Sequence, residues 1–364
     1  MLLHLFATLV AASTAVLIFA GGLVTSTGSG LSVPDWPTTY GWFMLTFPPD
    51  KMVGGIFYEH SHRLIASSVG LLIVVLAIWL WKAEPRPWVR RLGYIALAAV
   101  ITQGILGGIT VLWFLPDAIS IAHAGLAQVV FCLTVAIALF TSPGWRRGYA
   151  TREAGRKGPP DGAGFITYAG PYGHETGSYD RQLQAIATMT TAVIYAQIIV
   201  GATMRHTDAG LAIPDFPLAF GQLVPPFWNA PIAIHYAHRV GALLVSAFVL
   251  AAAGHVLYHR RRRAELRRPS LLLLLLLAIQ ITLGALTVLS GKHYILNSLH
   301  VVTGAMVLGT SLVLTLRAYR PRFTDYAGSA APRPSARRHP AYAPVYDVRR
   351  AGSAKRTRQN GVRA

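Results

Sequence analysis

The sequence is poor in charge and nearly free of cysteine. Asp, Glu, Lys and Arg make up 13% of its 364 residues, whereas hydrophobic residues make up 53%. Soluble domains usually carry about 25% charged residues, so this composition argues against a water-soluble fold and favours a membrane protein. The single cysteine, Cys132, lies within an apolar run, which excludes an intramolecular disulfide and a metal site built from cysteines.

Acidic residues are scarcer than basic ones, at 14 against 33, and the formal net charge is +19. The basic residues gather in every second connection between apolar runs, and the positive-inside rule then predicts that both termini are cytoplasmic. Because this charge flanks membrane segments, we expect no nucleic-acid partner. The basic clusters span residues 82–91, 146–157 and 260–268.

Apolar runs of the length needed to cross a bilayer, roughly 20 residues, occur eight times. The first run lacks a basic region before it and a small-residue cleavage site after it, so we interpret it as a retained helix. The pattern predicts an all-α integral membrane protein with eight transmembrane helices. The predicted spans are residues 2–24, 62–81, 92–114, 119–141, 183–204, 236–258, 270–290 and 298–319.

The chain divides into four parts by composition. Residues 1–142 and 181–321 hold four apolar runs each, and the Gly- and Pro-rich residues 143–180 between them are predicted to be a cytoplasmic linker. Residues 322–364 mix Pro, Ala, Gly, Ser and Arg without apolar periodicity, so we expect a basic, disordered cytoplasmic tail.

The two halves are copies of one sequence pattern. GLSVPDWPTTYG, at residues 30–41, returns as GLAIPDFPLAFG at residues 210–221, and QGILGGITVL from Gln103 returns as QITLGALTVL from Gln280. A duplicated unit with four spans enters the membrane in the same direction both times. We therefore predict two tandem, parallel four-helix bundles related by pseudo-two-fold symmetry about an axis along the membrane normal.

Two histidines recur in each half, near the start of its second and fourth spans. A histidine inside a membrane span is costly unless it is paired or liganded, although a hydrogen bond between helices is an alternative. Zinc usually takes more protein ligands, and copper commonly brings Met or Cys, whereas haem takes two axial nitrogens and fits a four-helix bundle. The pairs are His62 with His123 and His238 with His300.

Arginines follow two of these histidines. Arg63 and Arg239 lie at the predicted outer interface, where they either bind haem propionates or extend to lipid headgroups. The Pro-Asp strings between the first two spans of each half are predicted to fold over the bundle mouth as an aromatic lid, or to be plain connecting loops.

These motifs together resemble the haem A synthase family over residues 1–320, the linker excepted. The resemblance rests on Glu59-His60-Ser61-His62-Arg63, the Gly-Leu-x-x-Pro-Asp-x-Pro strings, His123, His238-Arg239 and His300. It implies a plasma-membrane oxidoreductase that converts haem O to haem A for cytochrome oxidase, by successive hydroxylations of the C8 methyl group to a formyl group. Some members carry a cysteine pair in an outer loop, and this chain has none.

The resemblance also implies a division of labour between the halves. His238 and His300 would hold a resident b-type haem (haem B), while His62 and His123 would receive the substrate haem O. Haem O synthase is the expected partner, the lipid bilayer is the expected environment, and a homo-oligomer is compatible with the sequence. The sequence leaves open whether His60 or His235 replaces one of these ligands.

One position breaks the symmetry, since Glu59 stands where the second half has His235. A carboxyl group three residues before a ligand is suited to moving protons during oxidation, so we predict Glu59 to be catalytic; the alternative is a helix cap. A bis-haem electron-transfer protein would need the same histidines without this asymmetry. A transporter would need polar residues near mid-membrane, and the spans have few.

Overall fold

The computed structural model describes residues 1–146 and 178–320. Within these ranges the chain is helical and contains no β-strand, and eight helices are long and apolar enough to cross a membrane, which confirms the predicted number. The predicted linker lies largely outside the described residues, and the predicted tail lies wholly outside them. The helices are α1 (Leu2–Ser26), α2 (Gly55–Ala83), α3 (Pro87–Leu112), α4 (Asp117–Thr141), α5 (Ser178–His206), α6 (Ala230–His259), α7 (Ala264–Leu289) and α8 (Tyr294–Ala318).

Helices α2 and α6 begin earlier than their apolar runs suggest, at Gly55 and Ala230 rather than near residues 62 and 236. The polar residues in their first turns lower the hydropathy there, but Glu59, His60 and His235 are all buried inside the protein. Helix α6 is also capped, because the side chain of Asn229 accepts a hydrogen bond from the backbone N–H of Ile232.

Each half packs as a ring of four helices. In the first half α1 contacts α2, α2 contacts α3, α3 contacts α4, and α4 contacts α1; in the second half α5 to α8 repeat this order. Each ring has its own apolar core, with Ile73 and Leu80 fully buried in the first and Leu273 and Leu308 in the second. This packing is consistent with the two predicted four-helix units, which a smaller buried cluster of Ile18, Phe131 and Ala305 joins.

The halves meet along α1, α4, α5 and α8, with α1 against α8, α5 against α4, and α4 against α8. Exchanging the two halves turns the α1–α8 contact into the α5–α4 contact and leaves the α4–α8 contact unchanged. This is the relation that a two-fold axis requires. Glycines let the helices approach closely: a Cβ atom on Gly309 of α8 would lie 2.8 Å from the ring of Phe131 on α4. Arg205 of α5 also donates hydrogen bonds to the carbonyl of Gly22 and the hydroxyl of Ser26 on α1, both at 2.7 Å.

The two Pro-Asp loops join α1 to α2 and α5 to α6 in the same conformation. We call this end of the bundles the loop end and the opposite end the basic end. The Asp35 carboxylate accepts hydrogen bonds from the backbone N–H groups of Tyr40 and Gly41, and Asp215 accepts them from Phe220 and Gly221. Burial raises the pKa of the Asp35 carboxyl, but these hydrogen bonds and one from Thr38 hold that pKa below its ordinary value.

Candidate functional site

The four predicted ligand histidines all lie at the loop end, about two turns inside their helices. Each ring packs against a glycine of a neighbouring helix. A Cβ atom on any of these glycines would lie 3.0 to 3.1 Å from Cε1 of the facing histidine, closer than side chains normally pack. The duplication has therefore preserved four histidine–glycine contacts, which are Gly21 with His62, Gly107 with His123, Gly201 with His238, and Gly284 with His300.

The second-half pair has the spacing that two axial ligands of one metal require. The ring centres of His238 on α6 and His300 on α8 are 6.4 Å apart, with the rings inclined by 68°. A metal bonded at about 2 Å to a nitrogen of each ring lies about 3 Å from each ring centre, so the expected separation is about 6 Å. The pair fits a haem iron held between opposite helices.

The first-half pair has buried nitrogen atoms without partners. His62 and His123 are close enough for the charge of one to act on the other. The Nδ1 atom of each ring is buried and forms no hydrogen bond to any residue in the described part of the chain. Because buried polar atoms are nearly always hydrogen-bonded, these two nitrogen atoms are candidates for binding a ligand.

Glutamines contact three of the four histidines. The side-chain nitrogen of Gln197 lies 3.0 Å from Nδ1 of His238, and those of Gln103 and Gln280 lie 3.3 Å from Nε2 of His123 and His300. Because a side-chain amide nitrogen only donates, each of these ring nitrogens is the acceptor, and the contact restrains the orientation of the ring.

His62 lacks such a glutamine, because Leu17 stands where the second half has Gln197, four residues before the glycine that faces the histidine. The sequence does not predict the contacts between glutamines and histidines. Its only indication of them is the repetition of Gln103 at Gln280.

Arg63 fastens the first Pro-Asp loop to α2. Its Nη1 atom donates to the carbonyls of Asp35 and Thr38, and its Nη2 atom donates to the carbonyl of Val33 and to the Glu59 carboxylate, at 2.7 to 3.0 Å. All four N–H groups of Nη1 and Nη2 are thus engaged.

Arg239 repeats three of these bonds in the second half, where it donates to the carbonyls of Ile213, Asp215 and Leu218. Both arginines therefore hold a loop, and their contact with haem propionates stays a prediction.

Glu59 and His235 anchor the same point of the two loops. The Glu59 carboxylate accepts a hydrogen bond from the backbone N–H of Val33 at 2.8 Å, and Nδ1 of His235 accepts one from the equivalent N–H of Ile213 at 3.3 Å. Glu59 also forms an ion pair with Arg63, with both side chains nearly buried. Gly54, not Glu59, occupies the N-cap position of α2, so the capping alternative is not what the structure shows.

The two alternative ligands, His60 and His235, each contact a Pro-Asp loop through Nδ1. Nδ1 of His60 lies 3.1 Å from the hydroxyl of Thr39, and its ring packs 4.9 Å from that of Phe47. His235 is engaged with Ile213 through its own Nδ1 atom. Within residues 1–146 and 178–320, no group of three or more His, Cys, Asp or Glu side chains is placed to hold a metal ion. Paired imidazoles, which suit haem, are therefore the arrangement that the described residues offer.

Comparison with known proteins places this fold and these motifs in one family. The COX15-CtaA family model, described as cytochrome oxidase assembly protein, matches residues 4–312. A protein of Geobacillus kaustophilus named Heme A synthase is 26% identical over 336 residues, covering 90% of this chain and 96% of that protein. Another Heme A synthase, from Halalkalibacterium halodurans, is 30% identical over 252 residues, covering 68% of this chain and 74% of that protein. The chain belongs to the COX15-CtaA family, the haem A synthase family.

Proposed function

We propose that this membrane oxidoreductase converts haem O to haem A by oxidising the C8 methyl group to a formyl group. Each of two hydroxylations would replace a C–H bond of the methyl group by a C–O bond and remove two electrons, which an external oxidant must accept, and the resulting hydrated aldehyde would lose water. The observation that carries the proposal is a pair of histidine sites that are alike in their glycine contacts, of which only the first has a buried carboxylate. An electron carrier with two equivalent haems would have no use for that difference.

The second half is the proposed site of the resident b-type haem. His238 and His300 have the separation that suits two axial ligands, and Gln197 and Gln280 orient their rings. When bound, this haem supplies one-electron transfer. The ring of helices around it keeps the pocket apolar, because Val245 and Leu277 beneath it are buried, and an apolar shell limits the access of water to the metal.

The first half is the proposed site of the substrate, haem O, with His62 and His123 as ligands of its iron. Glu59 lies one turn before His62 on α2, in a nearly buried position. We assign it the delivery and removal of protons during oxidation of the methyl group, a task for which a fixed carboxyl group is suited. Its hydrogen bonds from Val33 and Arg63 hold it in place.

The proposed orientation puts the loop end outside the cell and the basic end in the cytoplasm of a bacterial plasma membrane. The basic clusters at the ends of α2, α6 and their neighbours support this orientation. Haem O synthase is the proposed source of the substrate, and self-association is compatible with the exposed apolar helix faces.

The test is the haem content of the purified protein, extracted and separated by chromatography. Haem A or a hydroxylated precursor, together with haem B, is expected in the wild type. His238→Ala and His300→Ala should each remove most of the haem B and its low-spin spectrum, because an iron that loses an axial ligand is held less firmly. His62→Ala and His123→Ala should keep haem B and lose haem O and haem A. Only haem B, at two per chain, would support the electron carrier instead.

A further inference from the structure

The indole of Trp36 lies directly on the backbone of α3. A Cβ atom added to Gly108 would lie 2.6 to 2.8 Å from three carbons of the indole, a distance that packed side chains do not reach. Gly108 is buried, and Trp36 is 40% exposed. The loop thus touches α3 through an aromatic face that only a glycine can receive.

This contact lies next to the glycine that faces one of the first-half histidines. Gly107, the residue before Gly108, carries the ring of His123 on its own surface. On the other side, Arg63 binds the carbonyl of Asp35, next to Trp36, and Arg63 directly follows His62. Trp36 therefore contacts α3 one residue from the glycine that faces His123, and its loop is fastened to α2 by the residue that follows His62.

The second half has a different pair at these positions. Phe216 corresponds to Trp36 and Ala285 corresponds to Gly108, by the offsets of 180 and 177 residues that relate the loops and the third helices. The aromatic side chain is smaller by one fused ring, and the helix residue is larger by one methyl group. The two differences are opposite in volume, so changing both residues of the first half together should preserve a fit that changing either one alone would disturb.

We propose that the contact of Trp36 with Gly108 is the closure of the substrate site and retains the haem held by His62 and His123. This inference rests on the proposed function. A substrate that is oxidised in several steps must stay until the last step and then leave, so its pocket needs a wall that can open. The indole packed on Gly108 provides a large apolar surface for such a wall. Because the indole is held there by packing, it can move away without breaking a covalent bond or an ion pair.

The experiment measures how fast haem leaves the first half of the purified, full-length protein in detergent. A haem-scavenging apoprotein is added in excess, and the haem remaining is identified by extraction and chromatography. In Gly108→Ala, the new methyl group displaces the indole, and we expect haem O and haem A to dissociate at least fivefold faster with haem B unchanged. Gly104→Ala is the matched control, since a Cβ atom at Gly104, one turn earlier on α3, meets nothing within 4 Å.

A second variant tests whether retention depends on how well the aromatic side chain fits the facing residue of α3. Trp36→Phe combined with Gly108→Ala installs the pair of the second half, and we expect it to restore at least half of the lost retention time. Unchanged dissociation in Gly108→Ala would overturn the proposal, and so would a double variant that releases haem as fast as Gly108→Ala. An equal loss of haem B would also overturn it, because the contact would then only support the fold.

The proposed function fails separately, if the first half contains haem B and no haem O or haem A. The dissociation rates would still decide whether Trp36 closes the pocket.

Discussion

A single backbone N–H group in each loop is bound by chemically different side chains in the two halves. Glu59 takes the N–H of Val33 with a carboxylate oxygen, and His235 takes that of Ile213 with an imidazole nitrogen. The anchoring task is therefore common to both residues, whereas the negative charge and the ability to exchange a proton with a carboxyl group belong to Glu59 alone. This difference allows the two roles of Glu59 to be separated by substitution.

Two substitutions of Glu59 test its proposed catalytic role. Glu59→Gln keeps the shape and loses the charge, and Glu59→His installs the anchor that the second half uses. If the carboxyl group moves protons, haem A formation should fall by about tenfold or more in Glu59→Gln, whereas the imidazole of Glu59→His can retain part of the activity because it also transfers protons; haem B content should be unchanged in both. The measurement is turnover of haem O, followed by chromatography, alongside the spectrum of haem B.

The outcome of Glu59→Gln is the decisive one, because the amide keeps the shape of the side chain and cannot transfer a proton. Normal haem A production by a well-folded Glu59→Gln protein would show that Glu59 serves only as a loop anchor. Loss of activity in Glu59→Gln with recovery in Glu59→His would support proton transfer. Accumulation of hydroxylated haem in either variant would place the lost proton transfer after the first oxidation step.

The matched placement of the four candidate ligand histidines could be predicted from the sequence because four polar residues recur at equivalent places in apolar helices. The loop contacts of Arg63 and Arg239 could not, because these partners are backbone carbonyls, which no sequence pattern displays. The contact between Gln197 and His238 also escaped prediction. It depends on the rotation of α5 against α6, and the first half has no glutamine at that position to make a repeat.

The turn between α2 and α3, at the basic end, is held by a buried carboxylate. Glu84 accepts hydrogen bonds from Arg86 and Arg146, and Arg86 also donates to the carbonyl of Phe140 on α4. Burial raises the pKa of the Glu84 carboxyl, but the hydrogen bonds from Arg86 and Arg146 lower it more, so the pKa lies below the ordinary value of 4.5. The folded state therefore favours the charged form of Glu84.

Glu84→Gln should destabilise the protein by about 3 kcal/mol at neutral pH, because it leaves Arg86 buried without its partner. A carboxyl whose pKa is depressed by folding stabilises fully above its unfolded pKa and loses that contribution as the pH falls through its folded pKa. The difference in melting temperature between wild type and variant, measured in detergent, should thus be constant above about pH 5.5 and shrink below about pH 4.5.

Glu265→Gln is the control for Glu84→Gln. Glu265 pairs with Arg263 at the basic end of α7, but both side chains are about one-third exposed, so this change should cost less than about 1 kcal/mol. Equal losses in the two variants would contradict the assignment of a special role to the buried turn. The sequence did not predict the starts of α2 and α6 for a related reason: buried polar residues extend both helices beyond the apolar runs from which they were predicted.

At the scale of the molecule, the contact between the halves depends on backbone approach at three glycines. Gly22 faces Ser298, Gly125 faces Ile199, and Gly309 faces Phe131. A Cβ atom added to any of these glycines would lie only 2.8 to 3.3 Å from the nearest atom of the facing residue. In lipid, where helices gain little from burying apolar surface against each other, such close packing is a main source of attraction. The glycine contacts are therefore expected to govern the stability of the pair of bundles.

Gly309→Leu should lower the free energy of unfolding by about 1 to 3 kcal/mol, the usual cost of overpacking. Both haem sites should lose occupancy together, since α4 and α8 carry His123 and His300 on the same helices that meet at Gly309. Thermal unfolding in detergent and haem content are the measurements. Gly254→Leu on α6 is the control, because a Cβ atom there meets nothing within 4 Å; a similar loss in this control would show that the effect is not specific to the contact between the halves.

The joining of both bundles in one polypeptide has a consequence for how their sites can differ. If the bundles were two identical chains in a dimer, any substitution would be made in both sites at once, and a carboxylate at position 59 would have to be tolerated next to either haem. In a single chain each copy varies independently. Glu59 can then anchor one loop and His235 the other, and Trp36 can accompany a glycine on the third helix where Phe216 accompanies an alanine. Covalent linkage is thus what permits two sites with different side chains to be built from one repeated unit.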